Sequence, residues 1–324
     1  MCAHWARIFS KGLGITESMV RFIEAKQLEC RASTIARFRD GFTSLTKFLD
    51  QTQSHITRPA QITTATILDW RVWRLTETVA RHKTTAPTHR TVNAELVAVR
   101  QWLGWLCLRN ELRTNPADGV KRLRPGIGTE AKALSPQEWE LIKRASLEIE
   151  LRQPRRGPRN CRKGQTRLMR FLLCTGLRIG ELIHLEWSDV QPDGIKIQEK
   201  KNWTPKTYAR VVPLNQDAKQ ILDQIRQDSE RGDGLVFVDY GGKPLRPGRV
   251  RTWIRDAAKR AGIDGVTGPH TMRHTCITWL ANNPAIPPAH VQRMAGHTSL
   301  KTTQIYIHPS SSDLTESMMK HRVG

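Results

Sequence analysis

Thr34-Ile-Ala-Arg-Phe-Arg-Asp-Gly-Phe-Thr-Ser-Leu-Thr-Lys-Phe-Leu49 places Ile35, Phe38, Phe42, Leu45, Phe48 and Leu49 at steps of three and four. That spacing gathers them on one stripe of an α-helix, whereas a strand would need alternation. Outward from it, Val92 to Leu108 repeats the period through Leu96, Val99, Trp102, Leu103 and Leu106, with Asn93 as the expected start and Asn115-Pro116 as the expected stop. Between them, Thr64 to Val79 reads as a third helix with Ile67, Trp70 and Leu75 on its apolar side. No strand-like alternation interrupts these runs, so residues 14–118 are expected to form a small helical domain behind an N-terminal extension, 1–13.

Residues 119–133 then break the pattern with Pro125, Gly126 and Gly128, a composition that suits a linker. The remainder, 134–324, mixes element types. Helical patterns start near Ser135-Pro136 and recur over Leu168 to Trp187, Arg249 to Ala261 and His270 to Ala281. Ile195–Gln198 and Arg210–Leu214 are strand-like and flank a turn-rich stretch, as in a hairpin with a long tip. The expected fold class is mainly α with a small β-hairpin or sheet in the second domain, an α+β arrangement.

Charge narrows the partner. The 324 residues carry 52 Lys+Arg against 30 Asp+Glu, a formal net charge of +22. A chain that basic repels itself, and the usual compensation is a polyanion, most often nucleic acid. Anionic membrane surfaces compete for the same charge, but no run of about 18 apolar residues is present to span a bilayer. The N-terminus lacks the apolar core and small-residue cleavage site of a secretory signal. Six scattered cysteines without a CxxC pair argue against a disulfide framework or a zinc ribbon. The expectation is a cytoplasmic protein that faces nucleic acid. Two basic runs stand out. One holds Arg152, Arg155, Arg156, Arg159, Arg162 and Lys163; the other holds Lys243, Arg246, Arg249 and Arg251. Each alone reads equally as a solvated face. Two basic domains on a basic linker fit better as a clamp on a duplex.

The familiar nucleotide and hydrolase motifs are absent: no GxxxxGK[ST] loop, no HExxH, no GxSxG and no GxGxxG opening a helix. Acidic side chains are scattered singly, which does not suit a metal-dependent nuclease, and no cofactor is implied. What remains is a set of cations. Arg178 and Glu181, in Thr175-Gly-Leu-Arg-Ile-Gly-Glu-Leu182, lie one turn apart; by themselves they read as an ion pair closing a helix turn. Lys206 sits near the hairpin tip, where an ammonium can reach a leaving oxygen as a general acid; alone it reads as an exposed turn lysine, with Lys200 and Lys201 as competitors. His270 and Arg273 offer two donors from one helix face. His270 and His274 also have the spacing of a metal pair, but no acid lies between them and no third ligand is evident. His297 follows a glycine at a helix boundary, and Tyr306, one of three tyrosines, would alone be read as a core aromatic.

Taken together, TGLRIGEL (175–182), PKTYARVVPL (205–214), HTMRH (270–274) and AGHTSLKTTQIY (295–306), in that order, resemble the tyrosine recombinases of the phage integrase family. The resemblance covers nearly the whole chain: the helical half resembles their core-binding domain, and 134–324 their catalytic domain. It implies that Arg178 and Arg273 hold the scissile phosphate, with Glu181 the acid beside the first. Lys206 would protonate the leaving 5′ oxygen. His270 would be the first histidine of the catalytic set, His274 a supporting one, and His297 would occupy a position held by His or Trp. Tyr306 would be the nucleophile.

The residue types suit that chemistry. A phosphodiester is an anion, so guanidiniums must neutralise the charge that grows in the transition state. A phenol with a pKa near about 10 needs cationic surroundings or a base; His270 is compatible with accepting that proton and equally with hydrogen bonding. Attack leaves a 3′-phosphotyrosine and a free 5′ hydroxyl, so resealing needs neither ATP nor metal. The resemblance further implies double-stranded DNA as partner, a tetramer at synapsis docked through the C-terminal tail, accessory DNA-bending proteins and a place on the nucleoid. Two alternatives stay open: DNA relaxation of the type IB topoisomerase kind, and a DNA-binding architectural or regulatory protein without catalysis.

Overall fold

The computed structural model describes residues 13–76, 87–124, 132–152, 164–229, 233–239 and 242–307. The chain falls into two units, Met1–Gly128 and Thr129–Gly324, each with its own apolar core.

The first unit contains α1 (Ile15–Gln27), α2 (Ala32–Thr52), a 3-10 turn at Pro59–Gln61, α3 (Thr64–Thr76) and α4 (His89–Leu108). The stripe along α2 is buried as its period requires, and it meets Phe22, Trp70, Leu96, Trp102 and Leu103 in one core. Gly41 sets how closely α2 and α4 approach, because a Cβ there would stand 2.9 Å from the Ala98 Cβ and 3.1 Å from the Glu95 carbonyl oxygen. Arg74 closes the α3–α4 contact with a forked pair to the buried Glu95, at 2.8 and 2.9 Å.

The expected run ends at Leu108 as the helix does, but neither expected boundary signal, Asn93 nor Asn115-Pro116, bounds α4. It begins at His89 because the Thr88 hydroxyl caps it, accepting from the Thr91 N–H at 3.3 Å. Asn93 lies inside the helix and uses its amide on Leu123 instead, donating to the carbonyl at 2.8 Å and accepting from the N–H at 2.9 Å. The helix stops at Leu108, soon followed by Asn110 in the left-handed region (φ 59°), well before Asn115-Pro116. Residues 119–124, which open the expected linker, lie against this unit: Arg100 donates to the Val120 carbonyl at 2.6 Å and Arg71 to that of Lys121 at 2.5 Å.

The second unit runs α5 (Pro136–Arg152), α6 (Gly164–Thr175), α7 (Ile179–Ile183), β1 (Val190–Gln191), β2 (Gly194–Ile197), β3 (Arg210–Val212), α8 (Gln216–Ser229), α9 (Pro247–Arg260), α10 (Pro269–Ala281), α11 (Pro288–Ala295) and α12 (Leu300–Gln304). The strands form one antiparallel sheet in the order β1-β2-β3, with Ile195 opposite Val212 and Ile197 opposite Arg210. The mainly helical class with a small sheet is therefore as expected. Leu168 to Trp187 is not one helix. Gly176 takes φ +59°, which ends α6, and Arg178 is extended before α7 begins. Phe171, Leu172, Ile195, Val212, Ile254 and Met272 meet in the main core, while a satellite cluster of Ile277, Ala281, Val291 and Ala295 receives Tyr306 and Ile307.

Candidate functional site

The site is built at the break between α6 and α7. Because Arg178 is extended, its N–H is free to donate to Glu181 Oε2 at 2.9 Å, and its guanidinium reaches Oε1 at 3.2 Å. The same guanidinium donates to Thr207 Oγ1 at 3.3 Å and to the Gly296 carbonyl at 3.1 Å. The main partner of Glu181 is a residue the sequence reading passed over. Arg210, at the start of β3, grips both carboxylate oxygens at 2.9 Å from within the core. Burial alone would raise the Glu181 carboxyl; the hydrogen bonds and charge of Arg210, and then of Arg178, outweigh it and hold it below the usual carboxylate range. Arg210 stands four residues after Lys206 in one quoted motif, but no spacing rule links a strand-end arginine to a carboxylate 29 residues earlier.

Arg273 enters the site from α10 and is buried. Its fork donates to the Gly176 carbonyl at 2.5 Å and to the Ala295 carbonyl at 2.6 Å. Arg178 and Arg273 thus both rest on the short backbone segment that closes α11, where Gly296 takes φ +66° and terminates the helix. Burial, and next the charge of Arg178, pull the Arg273 pKa down to about 10, so it stays cationic at neutral pH. His297 follows directly, buried, with Nε2 3.5 Å from an Arg273 Nη2. Burial and then the surrounding arginines Arg273, Arg178 and Arg210 depress its pKa to about 4.

Tyr306 is seated by α12, which Ser299 caps through its hydroxyl. Its ring centroid lies 5.8 Å from that of His297 and 4.8 Å from that of His274. Asn282 donates to the Tyr306 carbonyl at 2.8 Å and fixes the backbone beneath the ring. His270 stands one turn before Arg273 with part of its ring open to solvent; desolvation of the covered part, then the charges of Arg273, Arg251, Lys206 and Arg178, lower its pKa. His270 and His274 gather no third ligand: among the described residues, no group of three or more His, Cys, Asp or Glu side chains is arranged to hold a metal ion.

The hairpin tip is anchored rather than free along its first part. Lys200 and Trp203 exchange backbone hydrogen bonds at 2.8 and 3.1 Å, and Trp203 stacks on His184 of the α7 cap at a centroid distance of 5.0 Å. The Lys200 ammonium is spent on Asp189 at 2.5 Å and the His184 carbonyl at 2.6 Å. Lys201 and Lys206 are exposed, and Lys206 precedes Thr207, which touches Arg178. Of the expected DNA contacts, Lys243, Arg246, Arg249 and Arg251 are exposed at or beside the start of α9. Arg152 closes α5, and Arg155, Arg156, Arg159, Arg162 and Lys163 lie outside the described residues, as does the C-terminal tail. No helix among the described residues is long and apolar enough to cross a membrane.

Residues 151–313, half of the chain, match the phage integrase family. The chain belongs to that family. Its relatives include the tyrosine recombinase XerC of Corynebacterium glutamicum, 32% identical over 158 residues that cover 47% of this chain and 49% of that protein. The chain therefore spans about half the length of that relative. XerC of Actinobacillus succinogenes matches more broadly, at 24% identity over 92% of this chain and 95% of its own. Among solved structures, the integrase of transposon Tn1549 bound to a circular-intermediate DNA superposes with a TM-score of 0.72 at 18% identity, covering 95% of this chain and 99% of that one. A lambda integrase dimer on a core site follows at 0.70 and 16%, over 92% and 97%. At these identities the structures attest the phage integrase fold.

Proposed function

We propose that this protein is a site-specific DNA recombinase that breaks and rejoins strands through a 3′-phosphotyrosine on Tyr306. The observation that carries the reading is the seating of Arg178 and Arg273 on adjacent carbonyls, Gly296 and Ala295, beside the ring pair of His297 and Tyr306. Two guanidiniums held by backbone oxygens are preorganised donors for a phosphodiester whose charge grows during attack. Such a donor is worth roughly 3–4 kcal/mol in the barrier.

In the proposed reaction the Tyr306 oxygen attacks phosphorus as its O–H bond breaks, and the bond to the 5′ oxygen breaks with it. His270, whose depressed pKa leaves a neutral imidazole at pH 7, has the lone pair to accept the phenolic proton. Lys206 delivers a proton to the departing 5′ oxygen. A second 5′ hydroxyl then reverses the steps and displaces the tyrosine. The bond energy stays in the phosphotyrosine ester throughout, so no nucleotide is consumed. His274, with its ring against Tyr306, is assigned a supporting role.

Both basic portions of the chain are assigned to the DNA, with Lys243, Arg246, Arg249 and Arg251 on backbone phosphates near the cleavage site. The relatives solved on DNA include a lambda integrase tetramer on a Holliday junction. By that likeness we assign double-stranded DNA and further copies of this chain as partners. We place the protein with the nucleoid.

The test is covalent trapping on fragmented genomic DNA with neither metal nor ATP, followed by denaturation and recovery of protein-linked DNA. An adduct on Tyr306 that disappears in Tyr306→Phe supports the reading, and sequencing the DNA gives the site. Recovery of the same adduct from Tyr306→Phe removes the nucleophile assignment. Relaxed circles without strand exchange would favour a topoisomerase-like outcome of the same chemistry. Salt-sensitive binding without an adduct would favour a non-catalytic DNA-binding protein.

A further inference from the structure

We infer that Arg210 is a positioning residue of the cleavage site: it satisfies the buried Glu181 carboxylate so that Arg178 stays available to phosphate. The inference rests on the reading of Arg178 as a phosphate-holding arginine.

The argument begins with the cost of Glu181. Its side chain is 1% exposed, and a carboxylate so buried must be compensated by cations and hydrogen bonds. Two guanidiniums touch it, and they do so unequally. Arg210 takes both oxygens in the forked geometry, 2.9 Å to each. Arg178 contributes its backbone N–H at 2.9 Å and a single, longer guanidinium contact at 3.2 Å. The forked arrangement is the strong one, and Arg210 occupies it. Arg178 is consequently held at one corner, and its side chain keeps 20% exposure.

Without Arg210 the buried carboxylate would have one cation left. Arg178 would be drawn into the vacated fork, where its donors are consumed by Glu181 and lost to a phosphate. Arg210 is itself fixed at a second point, donating through Nε to the Met294 carbonyl at 3.0 Å. That bond ties β3 to the end of α11, the segment whose next carbonyls seat Arg273 and Arg178. One side chain therefore links the hairpin that carries Lys206 to the backbone that seats both phosphate arginines.

The experiment measures adduct formation in single turnover at saturating protein, beside DNA affinity and melting temperature, for wild type, Arg210→Met, Arg210→Lys and Arg210→Met with Glu181→Gln. The cleavage rate of Arg210→Met is expected to fall by about a hundredfold or more, the loss typical of one transition-state donor, while DNA affinity changes little. Arg210→Lys keeps the charge without the fork and should fall in between, with a melting temperature below that of wild type. The double variant removes the buried charge that captures Arg178 and should recover at least about tenfold over Arg210→Met. Wild-type cleavage by Arg210→Met overturns the inference, and so does a double variant no faster than the single one. Should Arg210→Met not fold, a wild-type rate in Arg210→Lys overturns it equally. Wild type that forms no Tyr306 adduct overturns the recombinase reading itself, a result distinct from any difference among folded variants.

Discussion

Thr303 Oγ1 lies 2.9 Å from Nδ1 of His297, and Thr303 is fully buried. The opposite ring nitrogen, Nε2, faces an Arg273 Nη2 at 3.5 Å, and an arginine can only donate. Nε2 is therefore the acceptor, Nδ1 carries the proton, and Nδ1–H donates to the threonine hydroxyl oxygen. The hydroxyl comes from α12, so the imidazole and the tyrosine three residues beyond Thr303 are positioned by one short helix.

Burial, and then the charges of Arg273, Arg178 and Arg210, set the pH response of His297. Its pKa is depressed to about 4 in the folded protein, against an ordinary value near about 6.5 in the unfolded chain. The unfolded chain binds the proton first, so stability from this group is complete above pH ~6.5 and is lost as pH falls toward 4. The melting temperature should decline across that window, and less so in His297→Gln. By NMR titration the His297 ring should remain neutral down to about pH 5; a midpoint at the free-histidine value would contradict the packing described.

The lysines of the hairpin should separate by phenotype. Lys200→Ala strips the ammonium from the buried Asp189 and should cost about 1–3 kcal/mol of stability. Lys206→Ala should leave the melting temperature unchanged and slow cleavage by about 10²–10⁴-fold, the range of a lost general acid. A substrate whose 5′ leaving atom is sulfur needs no protonation and should restore the rate of Lys206→Ala. If that substrate rescues Lys201→Ala instead, the proton donor is Lys201.

Gly296→Ala should be costly out of proportion to one methyl group. The residue sits at φ +66°, where a side chain costs roughly 1–2 kcal/mol. Its Cβ would also stand 3.0 Å from Arg210 Cζ and 3.0 Å from Thr207 Oγ1. Since Arg178 binds the Gly296 carbonyl, cleavage should fall together with thermal stability. A variant with wild-type melting and wild-type cleavage would show that the segment has room to adjust.

DNA affinity should fall linearly on a log–log plot against salt, with a slope of about −0.9 per phosphate contacted. Arg246→Ala and Lys243→Ala remove exposed cations at the approach to α9, and each should reduce the slope by about 1 across unrelated DNA sequences. A change confined to one sequence would assign the residue to a base edge instead.

The helical stripe of α2 and the pairing of β2 with β3 could be read from the chain because both depend on local periodicity. The order of the motif residues was equally legible, and the structure draws Arg178, Arg273, His297 and Tyr306 into one neighbourhood. Three features were hidden. Helix ends depend on caps, and Thr88 outcompeted Asn93 because its hydroxyl found a free N–H. The run from Leu168 to Trp187 keeps its apolar character through the break, so only the left-handed Gly176 reveals that α6 stops there. Arg210 was missed because its partner is distant in sequence, and composition cannot tell a strand-end arginine facing solvent from one facing a buried acid.

The two carbonyls that seat Arg273 come from opposite directions along the chain, Gly176 far upstream and Ala295 downstream. A nascent chain therefore carries Arg273 before its second support exists, and the tyrosine is the last of the proposed set to be synthesised. Local opening of α11 likewise removes the Ala295 and Gly296 supports together. On the recombinase reading proposed above, Arg178 and Arg273 gain these supports only once the end of α11 has folded, so an incompletely folded chain would lack the seating on which strand scission depends.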